Sequence, residues 1–132
     1  MQALSRTRLR EAQSLARAGL YEGAYYLAGY AVECALKACI AKETKKHEFP
    51  DRKRAEASHK HNLGELVKVA HLEDARRAEA QADELFRNNW DIVQSWSEES
   101  RYRTIQEKDS LALVEAVAHR KHGVLQWIRR HW

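Results

Sequence analysis

A chain of 132 residues and 15.3 kDa has room for one hydrophobic core and not two, so residues 1–132 read as a single domain. With 44% apolar and 32% charged residues, one proline and five glycines, the composition excludes a loop-rich or all-β fold, and no apolar run reaches the ~18 residues of a membrane span. A net charge of +4 biases the chain mildly towards polyanions, and an N-terminal segment without the apolar core of a secretory signal points to the cytoplasm.

The first predicted element is a helix over residues 3–18, with Leu9, Ala12, Leu15 and Ala16 inward and arginines outward. Gly19 ends it, and the short turn that follows makes the first two helices antiparallel neighbours. The second helix, residues 21–44, is the centre of the fold. Ala24, Leu27, Ala28, Ala31, Ala35 and Ala38 share one sector, and Tyr25, Val32, Leu36 and Ile40 widen it. An apolar surface so broad predicts burial from several sides, inside a bundle or against a second subunit.

Tyr26, Tyr30, Glu33 and Lys37 form a line on one face of that helix, with Glu33 and Lys37 in the favourable order for an ion pair. The line either orients the helix or its dimer, or belongs to a site. Gly29 costs roughly 1 kcal/mol of helix propensity, which close approach of another backbone would justify. Cys34 and Cys39 point in different directions and read as small buried hydrophobes.

Residues 45–60 carry six basic and three acidic side chains around Phe49 and Pro50, and form the longest irregular segment. Asn62 and Glu65 make a capping box for a short helix over residues 63–70. Residues 73–96 predict another long helix, light and alanine-rich at first, aromatic later, with Ala78, Ala82, Leu85, Phe86, Val93 and Trp96 towards the core. A polar linker follows, and Thr104, Asp109 or Ser110 caps a last helix running to about residue 130. Its apolar stripe is Leu111, Val114, Val117, Ala118, Leu125 and Ile128, and Trp127 and Trp132 anchor the tail or lie at an interface. The sum is an all-α fold: an antiparallel up-down bundle of four long helices plus one short helix.

His47, His59 and His61 surround the basic loop, and His119 and His122 lie three apart, but neither set completes a metal-ligand pattern, so no metal and no cofactor are expected. Arg101, Tyr102 and Arg103 follow an acidic run. Tyr102 is expected to tuck into the bundle and leave at least one arginine free for phosphate, against the plain alternative of an Arg101 ion pair with Glu98, Glu99 or Glu33. No phosphate-binding loop, nucleophile elbow or zinc-protease helix is present.

Four segments together resemble the HEPN family (higher eukaryotes and prokaryotes nucleotide-binding): GLYEGAYYLAGYAVECALKA over residues 19–38, the pair Phe49–Pro50, HKHNLGEL over residues 59–66, and EESRY ending at Tyr102. The resemblance implies a helical homodimer, often working with a minimal nucleotidyltransferase as a toxin–antitoxin pair, and a binder of nucleotide or RNA. Active members of the family are metal-independent ribonucleases whose signature is an arginine, four to six residues, then a histidine. Arg101 matches the arginine, but Gln106, Glu107 and Lys108 stand where the histidine belongs. The candidate ligand-binding residues are Arg101, Tyr102, Arg103 and Lys108 around the matching turn, with Glu33 and Lys37 from the line on the second helix. A catalytic route remains only if His59 or His61 meets Arg101 across the bundle.

Overall fold

The computed structural model describes residues 1–46, 52, 56 and 60–132, the side chain of residue 46 excepted. Seven α-helices and one 3-10 turn make up the described chain, with no strand among those residues. They are α1 (Gln2–Arg17), α2 (Tyr21–Lys46), α3 (Leu63–Val69), α4 (Glu73–Ala82), α5 (Glu84–Gln94), the 3-10 turn Glu98–Tyr102, α6 (Glu107–Ala118) and α7 (Val124–Arg129). No described helix is long and apolar enough to cross a membrane. The predicted Phe49–Pro50 break lies outside the described residues.

Helix α2 is the centre of the fold. It packs against α1, α3, α6, α7 and the 3-10 turn. Six consecutive residues, Ala31 to Leu36, are buried, which no one-sided amphipathic helix achieves. The enclosure comes from the chain's own helices, so the breadth of the apolar surface does not by itself call for a second subunit. Hydroxyls tie the neighbours on. Ser5 of α1 donates to the Ala31 carbonyl at 2.7 Å, and Ser110 of α6 donates to the Tyr21 carbonyl at 2.7 Å. Ser110 is thus a buried tether and not a helix cap. That phase buries Val117 as predicted, but it turns Leu113 and Ala116 inward as well and leaves Leu111 exposed, contrary to the predicted stripe.

Two predicted long helices are each broken. Within residues 73–96 the chain goes extended at Asp83, whose Oδ1 accepts from the Phe86 amide at 3.2 Å and caps α5. Short carboxylates compete with the helix for backbone N–H groups in this way. The break resets the helical phase: Phe86, Trp90 and Val93 face the core, while Leu85 and Ala82 face solvent. Helix α4 buries no side chain and carries ion pairs from Glu73 to Arg76 and Arg77. The last helix stops at His119, whose Nδ1 accepts the amides of Lys121 and His122 at 3.1 and 3.0 Å. The tail then folds back as α7, burying Val124, Leu125, Trp127 and Ile128. Trp132 donates to the Ala35 carbonyl at 3.3 Å, so both tryptophans are internal anchors.

Gly29 does meet a close neighbour, but a ring and not a backbone. The Trp96 indole lies flat on it, and a methyl group there would come within 2.2 Å of two ring carbons.

Helices α1 and α3 end alike. The amide two residues beyond each C-cap bonds back to the third-last carbonyl, with the intervening residue left-handed. After α1 that residue is Gly19, at φ +78; after α3 it is His71, at φ +59. A β-carbon is disfavoured in this conformation. His71→Gly is therefore expected to raise unfolding stability by about 0.5–1 kcal/mol in chemical denaturation. A loss of stability would show that the imidazole holds this turn.

Candidate functional site

Across α2 the line foreseen in the sequence is built as one face. Tyr26 and Tyr30 stack with ring centroids 6.1 Å apart, and Lys37 bonds Glu33 Oε1 at 2.8 Å. Glu33 is only 1% exposed. A carboxylate so deep needs cationic or hydrogen-bonded partners. The second comes from the start of α3: His61 Nδ1 lies 2.7 Å from the same Oε1.

The other side of the imidazole faces the 3-10 turn. His61 Nε2 is 2.7 Å from Glu98 Oε2, a charge contact without hydrogen-bond alignment, since that oxygen has no hydrogen-bond partner. Glu98 Oε1 in turn lies 3.5 Å from Arg101 Nη2. One carboxylate therefore links His61 and Arg101, and three distant stretches of chain meet at one place. His61, Asn62, Trp96, Ser97, Glu98 and Glu99 line a cleft of about 330 Å³ there.

Polar atoms are left bare around this junction. Four of the five buried side-chain N or O atoms without a hydrogen-bond partner among the described residues belong to Glu33, Trp96, Glu98 and Ser100. Each such atom costs about 1–3 kcal/mol, and the fold concentrates that cost between α2 and the turn.

Tyr102 does not tuck into the bundle. It is 77% exposed, because the turn places Ser100 inward instead, and the Arg101 guanidinium sits 4.8 Å from its ring centroid. Arg101 itself is 45% exposed at the side chain, and it also reaches the Tyr26 hydroxyl. The plain alternative weighed for Arg101, an ion pair with Glu98, is thus present while much of the group stays open to solvent.

Arg103 and Lys108 fall elsewhere. They line a second cleft of about 570 Å³ with Tyr25, Ile92, Thr104 and Ile105. Among the described residues neither has a carboxylate at ion-pair distance. His59 and His47 lie outside the described residues.

The other histidine pair has a structural task. His122 Nδ1 meets Asp83 Oδ2 at 2.6 Å, and that bond holds the Asp83 carboxyl below its usual pKa. His119 Nδ1 accepts two amide hydrogens, so its own ring hydrogen sits on Nε2, which leaves no lone pair outward for a metal. No group of three or more metal-ligating side chains converges among the described residues. Cys34 and Cys39 are buried and form no disulfide; Cys39 Sγ donates to the His131 carbonyl at 3.8 Å, and burial pushes its thiol up to about 11.

The chain matches no family model, no curated protein and no solved structure. The site stands on its geometry. Sequence reasoning found Glu33, Lys37, His61 and Arg101 separately. It named Glu98 as a partner of Arg101, three residues away, but missed its contact with His61 and the place of Trp96 in the cleft wall, since neither lies at a helical spacing from His61.

Proposed function

We propose that this protein is a HEPN-type helical bundle that binds the phosphate of a nucleotide or RNA at Arg101 and works in the cytoplasm as a homodimer beside a minimal nucleotidyltransferase. That reading takes the fold to be an antiparallel up-down bundle around α2. The observation that carries it is the turn Arg101–Tyr102: a guanidinium and a phenol ring, stacked on each other and both open to solvent. A guanidinium offers phosphate paired donors, and an exposed ring offers a base a face to stack on. Glu98 is the group a phosphate must displace from Arg101.

Calorimetry at low salt with nucleotides and short RNAs tests this. Binding is expected, with a loss of about tenfold in Arg101→Ala, as for a charge-assisted hydrogen bond. Absence of heat from both ligand classes would remove the assignment.

One observation favours an endoribonuclease as the second reading. His61 is oriented by a buried carboxylate, Glu33, and reaches Arg101 through Glu98. A histidine held by an acid is the arrangement that takes a proton from a ribose 2′-hydroxyl as that oxygen attacks phosphorus, and that returns it to the departing 5′-oxygen as the P–O5′ bond breaks, with arginine on the developing charge. Full RNA cleavage by His61→Ala would exclude it.

A further inference from the structure

The larger cleft is lined by Arg103, just past Tyr102; it shares no lining residue with the His61–Glu98 cleft and differs from it in chemistry. Part of its wall is apolar, formed by Tyr25 from α2, Ile92 from α5 and Ile105 from the linker, among polar neighbours such as Ser95, Thr104 and Gln106. Ile92 is one of the few large hydrophobic side chains left exposed. Its charge is basic, with Arg103 and Lys108 against Asp109. At about 570 Å³ it lies within the ~300–1,000 Å³ range of small-molecule sites.

The two arginines differ in their surroundings. Arg101 shares the Glu98 carboxylate with His61. Arg103 and Lys108 lack such a partner among the described residues. The chain leaves the 3-10 turn extended at Arg103, at φ −114 and ψ 152, and exposed Tyr102 is the one residue between Arg101 and Arg103.

We propose that the Arg103–Lys108 cleft is a second subsite, taking a phosphate on its two cations and a flat, partly apolar group against Tyr25 and Ile92. Resting on the reading of Arg101 as a phosphate contact, it makes the preferred ligand a single strand of RNA that crosses Tyr102, with a footprint longer than one nucleotide.

The test uses the full chain with uridine monophosphate and a five-nucleotide oligouridine, titrated over a range of salt. Wild type is expected to bind the oligomer more tightly than the monomer. Arg103→Ala/Lys108→Ala should weaken the oligomer by about tenfold or more and flatten its salt dependence by about 1.4 in log–log slope, as for two lost single-strand phosphate contacts. Ala112→Phe, at an exposed position lining the cleft, should weaken the oligomer while leaving the salt slope unchanged. Unaltered helical circular dichroism establishes that both variants fold. If the oligomer binds, Arg101→Ala weakens it and both cleft variants match wild type, the second subsite falls and the Arg101 assignment stands. If neither ligand binds wild type, both fall.

Discussion

Trp127→Ala is expected to cost about 3–5 kcal/mol of unfolding free energy, a large part of the ~5–15 kcal/mol that holds a typical domain together. Trp127 is buried, with its ring 5.3 Å from Phe86 on α5 and 5.3 Å from His131. Helix α7 has only six residues, too few to persist without tertiary contacts. Removing its largest anchor therefore leaves a cavity and loosens Val124, Leu125 and Ile128 as well. The tail's hydrogen bonds to α2, from Trp132 to the Ala35 carbonyl and from Lys42 to the Trp132 carbonyl, depend on the same attachment. Urea denaturation measures the effect, and Trp127→Phe should recover more than half of it. A loss below about 1 kcal/mol would mean that α7 contributes little to the core.

The second large effect is one of sign. Glycine to alanine inside a helix ordinarily stabilises by about 1 kcal/mol. At Gly29 the new carbon would lie 2.2 Å from the Trp96 ring, and the indole would have to retreat by roughly 1.5 Å to reach van der Waals distance. Trp96 is 2% exposed and packs against Tyr26, so that retreat is resisted. Gly29→Ala should destabilise, and Gly29→Val should do so by about 2–3 kcal/mol, the range for overpacking. The cause can be isolated by a double-mutant cycle: in a Trp96→Leu background the alanine penalty should vanish. A stabilising Gly29→Ala would refute the contact.

These two positions mark what the sequence discloses. The bounds of α2 follow from its alanine-rich composition, and the cap of α3 follows from Asn62, whose Oδ1 accepts the Glu65 amide at 3.0 Å. The cost of Gly29 was visible as a weak helix former, but its beneficiary is a tryptophan far along the chain. Likewise Asp83 reads as one more polar residue in a helical run until His122 arrives from the α6–α7 turn to hold it. Periodicity reports one face of one element. It is silent on contacts that only the closed fold creates.

The same limit governs the candidate site. The line from Tyr26 to Lys37 was legible because helical spacing encodes it. His61 and Arg101 carry no periodic relation to it, and Glu98 joins them only after α3 and the 3-10 turn have docked on α2. Tyr102 shows the converse error. Its aromatic ring suggested burial, yet Ser100 is the residue the turn directs inward.

Because α2 is wrapped by its own chain, folding and assembly are separable in this molecule. A protomer keeps its interior dry without a neighbour, and any pairing of copies must use outer surfaces such as those bearing Leu85, Ile92 or Leu111. A complex of that kind is expected to part on dilution while each member retains its shape, which sedimentation and circular dichroism over a concentration series would check.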